Sequence, residues 1–75
     1  MKKYKNLGGN STVAAFEIAK DYMKVGFTNH NVYRYSNQSV GNDNIRQMKT
    51  LALAGKGLGT FIETKVKDKF DRKIR

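Results

Sequence analysis

Seventy-five residues with no cysteine, and fifteen Lys and Arg against six Asp and Glu for a formal charge of +9, leave room for one hydrophobic core and exclude a disulfide framework or a thiolate metal site. No apolar stretch approaches the ~20 residues of a membrane helix, and the basic start, residues 1–9, is followed by no apolar run of the kind a signal peptide needs. A soluble, cytoplasmic chain with no membrane insertion is expected. Its field attracts polyanions, whether nucleic acid, an anionic membrane surface or an acidic protein; the plain alternative is charge carried for solubility.

In chain order, residues 1–10 are polar, glycine-containing and without period, and are expected as a flexible basic tail ahead of a single domain over 11–75. Residues 12–19, with Val13, Phe16 and Ile18, suit a strand, although the alanines suit a helix too. Lys20 and Asp21 make a tight turn. Met23, Val25 and Phe27 then alternate with Tyr22, Lys24, Gly26 and Thr28, as in a half-buried strand. Asn29, His30 and Asn31 form a second turn, because Asn accepts the left-handed backbone such turns require. Val32 to Ser36 closes a three-stranded meander, and 37–41 reads as a loop.

Beyond it the period lengthens. Ile45, Met48, Leu51 and Ala52 predict a helix capped by Asn42 or Asp43 and ended by Gly55. Leu58, Phe61, Ile62, Val66, Phe70 and Ile74 predict a second helix running to the chain end, with Thr60 and Glu63 as a capping box. The expected fold class is α+β, a three-stranded antiparallel meander followed by two helices packed on one face. The opposite face is left to water.

Hairpin parity decides where Tyr33 and Tyr35 point. A three-residue loop, 29–31, puts both tyrosines with Met23, Val25 and Phe27 under the helices, leaving Lys24, Gly26, Arg34 and Ser36 outside. A two-residue loop, Asn29 and His30, turns the rings outward as a base-stacking platform. Burial at about 25 cal/mol per Å² favours the first, since the second buries Arg34 and wets two large rings.

Ser11, Phe16, the alternation Met23, Val25, Phe27, the triplet Tyr33-Arg34-Tyr35, Val40, and Ala54 followed by Gly57 resemble the KTSC domain. That short module is found at the C-terminus of some lysyl-tRNA synthetases and as stand-alone bacterial and phage proteins. The resemblance covers roughly residues 11–66. There are three departures from the family pattern: Gly55 stands where a serine is common, Leu58 and Gly59 precede the aromatic Phe61, and His30 takes a turn position often held by glycine. The company of tRNA synthetases implies RNA binding by association.

The residues expected to bind nucleic acid are Lys24 and Arg34 on the sheet, Lys56 in the glycine-rich segment 55–59, and Lys65, Lys69 and Lys73, which recur every fourth residue as one basic ridge of the second helix. Tyr33 and Tyr35 would add stacking if exposed. The glycine segment is not a P-loop, because a helix precedes it and Leu58 follows Gly57. Much of the final run reads as an ordinary solvated face through the pairs Glu63 with Lys67, Asp68 with Arg72 and Asp71 with Arg75.

No catalysis, cofactor or metal is expected. His30 stands alone in a turn, and Ser11, Ser36 and Ser39 have no evident base. The leading expectation is a small basic module that binds RNA, or less favourably DNA, through phosphates. The alternative is a protein-interaction or scaffold module, homodimeric or phage-associated.

Overall fold

The computed structural model describes residues 1–9 and 11–75. A five-stranded antiparallel sheet runs in the order β1 (Lys2–Lys3), β2 (Val13–Ile18), β3 (Tyr22–Phe27), β4 (Val32–Ser36), β5 (Arg72–Lys73). Between β4 and β5 lie α1 (Asn37–Val40), α2 (Asn42–Ala54), α3 (Leu58–Phe61) and a π-helical turn (Ile62–Val66). The expected three-stranded meander with two helices is therefore corrected at both ends of the chain. Its central three strands stand where the alternation put them.

The sheet's faces follow from two local devices. In β2 the register shifts between Val13, opposite Phe27, and Ala15, opposite Gly26. One extra residue at this bulge brings Val13 and Phe16, an odd number apart, onto the same buried side. Between β3 and β4, Phe27 donates to the Asn31 carbonyl at 2.8 Å and His30 to the Phe27 carbonyl at 2.9 Å. The loop is thus residues 28–30, closed by His30 at φ 71, a three-residue hairpin ending in a left-handed residue. It sits one residue earlier than expected, but its length is still three, and parity depends on length alone. Met23 faces Tyr35 and Val25 faces Tyr33, so both tyrosines lie on the core side.

That core joins Met23, Val25 and Tyr35 of the sheet to Ile45, Met48 and Ala52 of α2 and to Leu58, Ile62 and Val66. Each fully buried Met or Leu side chain contributes about 1.5–3 kcal/mol. Helix α2 ends at Gly55, whose φ of 80 is left-handed and whose N–H donates to the Leu51 carbonyl at 3.0 Å. Segment 37–41, expected as a loop, opens with α1, because Ser36 and Ser39 form a capping box: the Ser39 N–H donates to Ser36 Oγ at 3.1 Å and the Ser36 N–H to Ser39 Oγ at 3.0 Å.

Residues 1–9, expected as a flexible tail, are built into the fold; Asn10 lies outside the described residues. Strand β1 pairs with β2, and Tyr4 is buried with its ring edge-on to Phe16 at 6.5 Å. The Leu7 N–H donates to the Gly55 carbonyl at 2.7 Å. Gly55 is closely approached here: an added Cβ would stand 2.6 Å from Lys5 Cβ.

At the other end, the second helix does not reach Arg75. It starts at Leu58 after Gly57, with no side-chain cap from Thr60 or Glu63, and its π-helical turn finishes at Val66. The chain then returns as β5 along the free edge of β4. Asp71 donates its N–H to the Arg34 carbonyl at 2.6 Å and Ile74 to the Val32 carbonyl at 2.7 Å. Those bonds satisfy an edge that a longer helix would leave open. No helix is long and apolar enough to cross a membrane among the described residues.

Candidate functional site

The helices cover one side of the sheet, so the other presents the alternate residues of β2, β3 and β4. Across it runs one row in direct register: Glu17 opposite Lys24, Lys24 opposite Arg34, and Arg34 opposite Arg72. Neighbouring strands lie about 4.8 Å apart, so the three cations stand closer than a Debye length and repel. Two carboxylates temper this. Arg34 donates from Nε to Asp71 Oδ2 at 2.8 Å, and Lys24 Nζ lies 3.7 Å from Glu17 Oε2. The Lys24 and Arg34 side chains keep 31% and 30% of their surface exposed.

Beside this row lies Tyr22. The Arg34 guanidinium carbon is 5.2 Å from its ring centroid and Lys24 Nζ 5.9 Å, distances at which a cation is attracted to a ring. Further along β3, Met1 lies near Gly26, its Cε 3.5 Å from where a Cβ would stand. Lys24 and Arg34 are therefore brought together as expected, and one aromatic ring lies within reach of both. Because Asp71 engages Nε and Nη2 of Arg34 through one carboxylate oxygen, the remaining guanidinium donors are left for another acceptor.

Tyr33 and Tyr35 are on the opposite side. Tyr35 is 1% exposed, and burial first, then the neighbouring Tyr33, pushes its hydroxyl pKa up to about 12. Tyr33 is half-buried between Phe27, at 5.7 Å and 72°, and Phe70, at 4.7 Å and 49°. Lys73 Nζ lies 5.9 Å from the Tyr33 ring. These aromatics floor a cleft of about 350 Å³ beside Ile62 and Lys67. Neither ring presents a free face on the cationic side.

The expected lysine ridge does not form. Lys65 sits on the π-helical turn, Lys69 beyond its end, and Lys73 on β5 opposite Tyr33. Lys56 borders a separate cleft of about 190 Å³ with Tyr4, Asn6, Ser11, Thr12 and Glu63, a volume below the range of most small-molecule sites. The expected pairs of Glu63, Asp68 and Asp71 with Lys67, Arg72 and Arg75 are absent among the described residues, where the ion pairs are those of Lys24 and Arg34. Ser36 and Ser39 are occupied in capping α1, Ser11 Oγ accepts the Val13 N–H at 3.1 Å, and no cluster of metal-ligating residues occurs among the described residues.

Two members of the site, Tyr22 and Arg72, were not anticipated. Tyr22 shares its parity with Lys24, so the alternation that located β3 also placed this ring on the open side. Arg72 was hidden by the helical reading of its segment. Comparison with protein-family models, with curated proteins and with solved structures finds no match.

Proposed function

We propose that the chain is a small cytoplasmic binding module that engages single-stranded nucleic acid, RNA in preference to DNA, through phosphate contacts and without catalysis. The observation that carries this reading is the Lys24–Arg34–Arg72 row beside Tyr22 on the sheet face that no helix covers. Phosphates exchange with Asp71 and Glu17 for the cations, and a base stacks against the Tyr22 and Arg34 planes. The preference for RNA draws on the KTSC resemblance and its association with lysyl-tRNA synthetases.

Titration of a fluorescent single-stranded RNA at a series of salt concentrations tests the proposal. Affinity is expected to fall with a log-log slope of about 0.7 per neutralised phosphate. Tyr22→Ala should cost about 1–3 kcal/mol, the usual worth of one stacked base, whereas Tyr35→Phe should bind as the parent does. Absence of binding at low salt ends the reading.

A protein-interaction module is the second reading, favoured by the exposed apolar side chains Leu53 and Ile74, at 56% and 45%. A discrete homodimer in sedimentation, together with no RNA binding, would replace the first reading with it.

A further inference from the structure

Where α2 meets the β2–β3 turn there is a pocket of about 310 Å³, lined by Lys20, Asn37, Asn42, Ile45, Arg46 and Lys49. Its cations come from two elements: Lys20 from the turn, and Arg46 and Lys49 from consecutive turns of one helix side. They are held together by a specific tie. Lys49 Nζ donates to the Ala19 carbonyl at 2.8 Å and to the Lys20 carbonyl at 3.3 Å, which fixes the turn against α2 and so sets Lys20 near Arg46.

This trio differs from the sheet row in one respect that matters for anion binding. Two of the row's three cations, Lys24 and Arg34, have a carboxylate partner, whereas Lys20, Arg46 and Lys49 have none among the described residues. Asp21 and Asp43, adjacent in sequence, do not line the pocket. Three positive charges around one concavity repel one another, and an anion seated among them converts that repulsion into attraction.

The pocket also borders the candidate site. A second concavity of about 510 Å³ is lined by Asp21, Tyr22, Arg34, Asn37 and Asp71, and Asn37 is a wall of both. We infer that the pocket holds a backbone phosphate of the same strand whose base lies on Tyr22, so that the nucleic acid leaves the sheet past Asn37 toward α2 instead of crossing it toward β1. This inference rests on the nucleic-acid reading above and gives it a direction and a second anchor.

The double variant Lys20→Gln/Arg46→Gln tests it, with Lys49 left intact for its structural bonds and an unchanged melting temperature as the check on folding. RNA affinity at low salt should fall about tenfold, as for loss of a charge-assisted contact, and the salt slope should drop by about 0.7 for the one phosphate released. Unchanged affinity and slope in this variant, while the parent binds, would overturn the inference and leave the sheet reading standing. A second arm follows backbone amide resonances of the parent with inorganic phosphate alone. Shifts centred on Lys20, Arg46 and Lys49 are expected, and would support the anion pocket even if RNA itself failed to bind and the nucleic-acid reading fell. Shifts confined to the Lys56 cleft would count against the pocket.

Discussion

The hydroxyl of Tyr4 accepts the backbone N–H of Leu58 at 3.2 Å in a buried position, so the residue that follows β1 and the start of α3 are joined by one side chain. Tyr4→Phe keeps the ring and its contact with Phe16 but strands a buried donor, and the expected cost is about 1–3 kcal/mol in urea denaturation. A loss below a few tenths would mean that water replaces the hydroxyl. Tyr35 offers a test by pH. Its folded pKa of about 12 lies above the usual phenol value of 10.0, so the fold favours the protonated form. That contribution is complete below pH 10 and is lost as pH climbs toward 12, by roughly 2–3 kcal/mol. Stability measured from pH 9 to 12 should therefore decline less steeply in Tyr35→Phe than in the parent; parallel curves would assign the decline to other groups. The two tyrosines also differ in legibility. Tyr35 could be placed from alternation and loop length, both local, whereas nothing near Tyr4 signals that its partner is Leu58.

At the scale of elements, the most instructive segment is 66–74. Val66, Phe70 and Ile74 are four residues apart, and a spacing of four is satisfied both by a helix and by a strand, where it is two full periods. The apolar pattern therefore could not choose between them. What chooses is non-local: the unpaired edge of β4, the Asp71 amide on the Arg34 carbonyl, and the Arg34–Asp71 ion pair. A double-mutant cycle with Arg34→Ala and Asp71→Ala measures the last of these. Because both side chains remain about one-third exposed, at 30% and 33%, a coupling of about 0.5–1 kcal/mol is expected, shrinking with added salt. A coupling of zero would leave the docking of β5 to its backbone bonds and Phe70. The same reasoning accounts for the central meander being readable: its strands pair with their sequence neighbours through short turns, so the information lies within the segment itself.

For the whole molecule, the excess of charge was plain in composition, but its arrangement was not, since the row from Lys24 to Arg72 and the trio around Lys49 each join residues distant in sequence. The arrangement has a consequence for stability. A formal charge of +9 is confined to a body of 30 × 24 × 22 Å, and at 0.01 M salt the Debye length of about 30 Å spans it, so every cation feels every other. Unfolding spreads these charges apart and relieves the repulsion. Since Glu17 and Asp71 are the only carboxylates in ion pairs among the described residues, raising salt to 0.15 M screens more repulsion than attraction, and the melting temperature should rise. For a chain of this length about 1 kcal/mol corresponds to 4–8 °C, which a thermal scan resolves. If the proposed RNA binding holds, affinity should move the other way in the same buffers, because the salt that screens the cations from each other also screens them from phosphate. A bound strand relieves the same repulsion that salt does, so the RNA-induced rise in melting temperature should be largest at 0.01 M and shrink toward 0.15 M. A melting temperature that falls with salt would show that the ion pairs outweigh the field, and would remove the attraction on which the proposed RNA binding rests.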